Sequence, residues 1–176
     1  MNKKQDNTST FFKECIAQAL IILLQEKELS NISITELTRI AGVSRMAFYR
    51  NFSSKEDVLY SYFDIILQRY DETEKDFPHG TYYDMEHLIH YFSYVLKYKD
   101  FLYAITMHSY GYIFSESMTN YIIKKWLTDK DDKGQLYKLY AFAGSLYNLY
   151  VGWVNNNFQE SPEEMAQIFS SFYDRS

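Results

Sequence analysis

Met46, Ala47, Tyr49 and Arg50 fall on the outward side of a short predicted helix whose inward side carries Phe48 and Phe52. Residues i and i+4 share one face of a helix, so the two phenylalanines anchor it and turn the other four toward a partner. A short helix with an aromatic anchor and an exposed face suits a recognition helix laid in the major groove of DNA. The elements that must position it lie immediately upstream. Ser33 and Glu36 form an S-x-x-E pattern that caps a helix start. Ile34, Leu37 and Ala41 then recur at helical spacing, and Gly42 follows where a left-handed φ is cheap only for glycine. Val43 plugs the corner and Ser44 can cap the next helix. The segment reads as a helix-turn-helix.

Other reactive residue types are sparse. His87 and His90 stand i, i+3 behind Glu86, a spacing that could share a metal ion, yet no Cys or further His clusters nearby. Solvated histidines on a helix are the expected reading, with no metal. The single cysteine, Cys15, sits beside Ile16 and Leu20 and reads as a small buried hydrophobe. A lone cysteine forms no intramolecular disulfide, which suits a reducing cytoplasm. No glycine-rich phosphate loop, cofactor motif or nucleophile–base arrangement is legible, so no enzyme is expected.

The chain reads as all-α, with about nine helices and no strand alternation. Helix 1 is predicted from about Ser9 to Lys27, burying Phe12, Ile16, Ala19, Leu20, Leu23 and Leu24. Ser54 and Asp57 open a fourth helix running to about Lys75, and Phe77-Pro78-His79-Gly80 is the clearest break. Thr81 with Asp84 opens a fifth, ending near Tyr98. Shorter helices follow from Asp100 to His108 and from Gly111 to Thr128. Gln135 to Phe158 reads as one long helix. Ser161-Pro162-Glu163-Glu164 starts the last one, which runs to about Tyr173.

Charge divides the chain. Residues 1–55 carry eight Lys/Arg against five Asp/Glu, while residues 56–176 carry ten against eighteen. A head of +3 on a body of −8 turns the head toward phosphate and repels the rest, so the overall charge of −5 does not exclude DNA. The expected division is therefore a DNA-binding domain over 1–55 and a regulatory, dimerising domain over 56–176. No leader peptide is read near Lys3 and Lys4, and a cytoplasmic location is expected. Leu139 to Gln159 has no charged residue, a length that could span a bilayer. Its Ser145, Asn148 and Asn155-Asn156-Asn157, with the small Ala141, Gly144 and Gly152, favour a helix buried in a dimer over a membrane span.

Ala41-Gly42-Val43-Ser44, Phe48-Tyr49, Phe52, Lys55 and Leu59 resemble the signature of the TetR family of bacterial transcriptional regulators. That pattern is usually A-G-V-S-x-x-x-[FL]-Y-x-H-F-x-x-K-x-x-L, and Asn51 stands here where it has histidine. The resemblance implies that Arg45, Met46, Ala47 and Tyr49 face bases. It implies that Thr35, Ser44, Arg50, Asn51 and Lys55 serve the DNA backbone. Arg45 is the expected guanine reader, because its guanidinium fork matches O6 and N7. The resemblance further implies a homodimer through the last two helices, a palindromic double-stranded operator and an unidentified small-molecule effector. Repression is the expected sense.

Residues 77–176 hold 24 of the 33 aromatics, fourteen of them tyrosine. A tyrosine pairs a flat apolar ring with a polar tip, useful for burying and orienting a small molecule. Tyr91, Tyr94, Tyr98, Phe101 and Met107 are candidates to line an effector pocket, with Tyr110, Phe114, Trp126 and Tyr147. For each of them taken singly, core is the first reading, since an aromatic stripe at helical spacing is usually core. Tyr60, Phe63 and Leu67 on the fourth helix are placed to transmit a signal between pocket and head. The alternative function is a protein-interaction co-regulator of the same fold; a carrier or enzyme built on the tyrosine-rich body ranks lower.

Overall fold

The computed structural model describes residues 3–76 and 80–173. Among these, nine α-helices and two short 3-10 turns account for the ordered backbone, with no strand. The Phe77–Pro78–His79 part of the expected break lies outside the described residues. The helices are α1 (Lys3–Leu24), α2 (Ile34–Ile40), α3 (Arg45–Asn51), α4 (Lys55–Thr73) and α5 (Met85–Leu96). They continue as α6 (Lys99–Met107), α7 (Gly111–Trp126), α8 (Lys133–Asn155) and α9 (Pro162–Ser170).

Alpha-helix α1 buries Ile16, Ala19, Leu20, Leu23 and Leu24 as its spacing dictates, against α2, α4 and α6. Cys15 is only half-buried, because it sits at the edge of that stripe. Helix α4 packs on both α1 and α7 along its length, so it belongs to both halves of the molecule. Tyr62, Phe63, Ile66 and Tyr70 form its buried face. Helices α5 with α9, and α7 with α8, make the other principal pairings.

Several ends differ from the sequence reading. Thr81 does not cap α5; its N–H and hydroxyl both donate to the Asp84 carboxylate, at 2.6 Å each, and the helix starts after Asp84. Helix α8 stops at Asn155 because Asn157 and Phe158 take positive φ, 54° and 55°. That costs backbone strain of about 1–2 kcal/mol per residue. The turn lays the Phe158 ring 5.3 Å from Trp153, whose indole N–H donates to the Glu160 carbonyl at 3.0 Å. Ser161 and Glu164 then close a complete capping box on α9.

Candidate nucleic-acid interface and interior cavity

The turn between α2 and α3 is fixed by backbone chemistry. Val43 N–H donates to Thr38 O at 2.9 Å and Gly42 N–H to Arg39 O at 3.3 Å, the paired bonds of a Schellman ending. Gly42 has φ 68°, and no atom lies near where a Cβ would stand. Glycine is required there by backbone angle alone. Ser33 Oγ accepts from Glu36 N–H at 3.1 Å, while the Glu36 carboxylate pairs with Lys27 at 2.7 Å and ties α2 to the end of α1. The Lys27 ammonium holds the Glu36 carboxyl below its usual range. Ser44 Oγ caps α3 by accepting from Ala47 N–H at 3.1 Å.

Phe48 is fully buried, with Phe52 at 5.5 Å between ring centroids and Phe12 stacked beyond it at 6.3 Å from Phe52. This phase turns the opposite side of α3 outward. Arg45, Met46, Tyr49, Arg50 and Asn51 are exposed, Met46 at 74% and Tyr49 at 56%. Ala47 is half-buried, and Thr35 and Ser44 are exposed beside the helix. Asn51 folds back, its amide donating to Ala47 O at 2.8 Å.

Lys55 has a different first partner from the one expected. Its ammonium donates to the carbonyls of Leu29 and, at 2.7 Å, of Ile32. The start of α4 is thereby clamped to the segment that enters α2. The expected contact of Lys55 with the DNA backbone would draw on this same ammonium. Lys55→Met should lower stability by about 1–3 kcal/mol, the range for a charged hydrogen bond. The salt dependence of operator binding should stay unchanged. Urea unfolding and binding titrations at several salt concentrations check both.

A mostly apolar cavity of about 50 Å³ lies in the body between α4, α5, α7 and α8. Of the expected lining residues, Tyr91, Tyr94, Tyr98, Phe114 and Trp126 reach it. The other four do not. Phe101 is buried, but its ring packs 4.8 Å from Tyr62 and 5.1 Å from Phe63, filling the seam between α4 and α6. Met107 ends α6 with 44% of its surface exposed. Tyr110 precedes α7 half-buried, beside Tyr112 at 6.2 Å. Tyr147 lies behind Phe114, 5.8 Å away, and faces an outer groove. Tyr70, Tyr121 and His87 line the cavity and were not anticipated. His87 had a legible signal, since it precedes Tyr91, Tyr94 and Tyr98 by four, seven and eleven residues on one helical face.

Polar tips inside the cavity wall are mostly satisfied. Tyr94 OH donates to Ile66 O at 2.8 Å and Tyr91 OH to Met118 Sδ at 3.1 Å. Burial pushes the hydroxyls of Tyr70, Tyr91, Tyr94 and Tyr121 upward in pKa, so they stay neutral donors. His87 and His90 are half-buried rather than solvated, because α4 covers them. His87 Nε2 stands 3.2 Å from Glu74 Oε1, and His90 Nε2 2.9 Å from Thr73 Oγ1. The two rings address different groups, and no cluster that could hold a metal ion occurs among the described residues.

Burial is the first cause that lowers both histidine pKa values below 6.5. The groups facing His87 are Asp84 on its own segment, Tyr70 and Glu74 from the α4 side, and Trp126 from α7. A histidine held neutral by the fold binds its proton more readily when unfolded. Stability should therefore be flat above about pH 6.5 and fall as pH drops below it. Thermal melts from pH 7.5 to 5.0 should show that fall, and His87→Leu should make it shallower. Lys125 likewise lowers the pKa of Asp71, whose contribution is lost only in stronger acid, below its usual 3.8.

Helix α8 turns Ala141, Ser145, Asn148 and Gly152 to its exposed side. Ser145 Oγ and Asn148 Nδ2 donate to carbonyls of their own helix, Ala141 O at 2.7 Å and Gly144 O at 2.8 Å. The stripe is narrow, uncharged and short of unmet polar groups. Ile168 and Phe172 stand exposed at 42% and 72% at the neighbouring end of α9. No helix among the described residues is long and apolar enough to cross a membrane.

The family model for bacterial regulatory proteins of the TetR family matches residues 16–63, the span that contains this helix-turn-helix. A second model, a TetR-type transcriptional regulator C-terminal region, matches residues 85–175. The HTH-type transcriptional regulator EthR of Mycolicibacterium smegmatis is 45% identical over 49 residues, 28% of this chain and 23% of that protein. The likeness thus spans under a third of this chain and under a quarter of that protein. Among solved structures, the dihydroxyacetone kinase operon activator DhaS superposes with a TM-score of 0.60 at 16% identity, over 92% of this chain and 93% of that one. A TetR transcriptional regulator from Rhodococcus sp. RHA1 gives 0.56 at 14% identity, over 97% and 94%. At such identities they speak for the fold. With helix-turn-helix and body both matched, the chain belongs to the TetR family of DNA-binding transcriptional regulators.

Proposed function

We propose that this regulator binds a palindromic operator as a homodimer, responds to a small molecule held in its body, and acts as a repressor. The observation that carries the reading is the outward face of α3, where Arg45, Met46 and Tyr49 stand exposed while Phe48 is locked in the core. Residues 1–55 serve as the DNA-binding head and 56–176 as the regulatory and dimerising body. Helix α3 lies in the major groove, with Arg45, Met46, Ala47 and Tyr49 toward the bases. Thr35, Ser44, Arg50 and Asn51 serve the phosphates. Asn51 does so by releasing Ala47 O or through its second amide proton. Helices α8 and α9 pair with their twofold mates, so the half-sites lie about 34–36 Å apart or a multiple of that.

Coupling runs through α4. Its first residue, Lys55, is clamped to the entry of α2, and further along Phe63, Leu67 and Tyr70 line the cavity. Tyr60 bonds across to Glu116 on α7 at 2.6 Å. A ligand that favours the DNA-incompetent arrangement by about 1.4 kcal/mol lowers operator affinity tenfold, and linkage makes the effect reciprocal.

Fluorescence anisotropy of the purified chain on DNA from its own upstream region is the primary test. Arg45→Ala should cost about 1–3 kcal/mol of affinity and relax preference at one operator position. Uniform weakening across operator variants would show that Arg45 holds phosphate and reads no base. No binding to any upstream fragment would favour a co-regulator that works through another protein. A promoter fusion reads the sign: removal of the protein should raise transcription.

A further inference from the structure

We propose that the open groove between α4 and α7 is the mouth of the interior cavity and takes an organic cation, an ammonium bearing an aryl or alkyl arm. Lys125 occupies the ammonium position in the free protein. The proposal rests on the ligand-responsive reading and names its ligand class.

The groove encloses about 570 Å³ and the cavity about 50 Å³, and Leu67 and Tyr121 form a wall of both. Lys125 sits at this wall. Its ammonium lies 5.4 Å from the centroid of the Tyr121 ring and 6.0 Å from that of Tyr70. It also contacts Asp71 Oδ1 at 3.0 Å and is bonded to Glu74 Oε2. Two ring faces and two carboxylates make a receptor for a positive charge, and the chain fills it with a tethered one. Glu74 is 4% exposed, and its second oxygen, Oε1, is buried without a hydrogen bond although His87 Nε2 stands 3.2 Å away. A carboxylate so buried requires a cation close by. An ammonium from solution can meet these partners, which a neutral or anionic molecule cannot.

The surroundings have the matching sign. Asp64, Asp71 and Glu116 line the groove against Lys124 and Lys125, and withdrawal of Lys125 leaves the carboxylates in excess. Lys125 belongs to the last turn of α7, where a cation is favoured, and its side chain is 21% exposed, so it can swing into solvent without losing the helix end. The ligand's arm then enters between Leu67 and Tyr121. A cavity of roughly 150 Å³ is needed to hold a benzene ring, so the space must widen. Leu67 and Tyr70 ride on α4, and widening displaces the helix that carries Lys55.

The test is calorimetric titration of the full-length chain with benzyltrimethylammonium, and with benzyl alcohol and benzoate as neutral and anionic counterparts. The cation should bind at least about tenfold tighter than either, the scale of a desolvated cation–ring contact with charge pairing. Lys125→Gln should tighten cation binding by removing the competitor. Asp71→Asn, at a half-exposed carboxylate that the fold tolerates losing, should weaken it. Equal affinities for the three probes would overturn the proposal. So would binding that Asp71→Asn leaves unchanged, a result that stands even if Lys125→Gln does not fold. Operator affinity measured with and without the cation separates the two readings. Cation binding with unaltered operator affinity keeps the site and removes its role as the effector site.

Discussion

Phe48→Ala is expected to destabilise the DNA-binding head by about 3–5 kcal/mol, the range for removing a fully buried phenylalanine. The ring has no exposed surface and joins Phe52, which itself stacks with Phe12 of α1. Helices α2 and α3 have seven residues each, too short to persist without tertiary packing. The loss therefore falls on the element that must enter the groove. Operator binding should vanish because α3 is no longer held, although Phe48 touches no DNA. Urea unfolding followed by far-UV circular dichroism measures the loss, and Phe48→Leu should recover most of it. A Phe48→Ala protein that unfolds at the wild-type midpoint would mean the helical phase of α3 is wrong, and with it the choice of Arg45, Met46 and Tyr49 as the outward face.

The head was legible because its determinants are local. A cap at Ser33, a left-handed Gly42, a second cap at Ser44 and an i, i+4 aromatic pair all act within one or two turns of helix. Sequence spacing captures such features directly. Lys55 shows where that stops: its carbonyl partners Leu29 and Ile32 lie more than twenty residues upstream, on a 3-10 turn that no periodicity announced. The body depends on contacts of that long-range kind. The tyrosine-rich composition singled out Tyr91, Tyr94 and Tyr98, but not Tyr70 of α4 and Tyr121 of α7, which complete the wall. Phe101 and Tyr147 have the same composition signal as true lining residues. The rotation of α6 and α8 about their own axes turns them to other seams, and that rotation is set by the packed whole. The sequence's charge pattern did carry over, since the acidic residues that made the body negative include those gathered at the groove.

Gly144→Arg should separate dimerisation from folding and lower DNA affinity while the protomer stays folded. A Cβ at Gly144 would meet no atom within 4 Å in the protomer, and the same holds for Gly152. Within one chain the substitution is harmless, and it replaces a mid-helix glycine that costs about 1 kcal/mol relative to better helix formers. The melting temperature of the isolated protomer should hold or rise. In the proposed twofold pairing of α8 and α9, the arginine and its twofold copy would meet across a stripe of small, uncharged residues. Like charges would be buried at close range with no carboxylate on that face to receive them. Sedimentation at micromolar concentration should give about 42 kDa for the wild type, twice the 21.1 kDa chain, and a single chain mass for the variant. Operator affinity should fall by roughly 10²–10⁴, because each head then binds its half-site without the other's effective concentration. A variant that remains dimeric and binds its operator normally would place the interface elsewhere. The exposed Ile168 and Phe172 of the α9 end would then need a different partner.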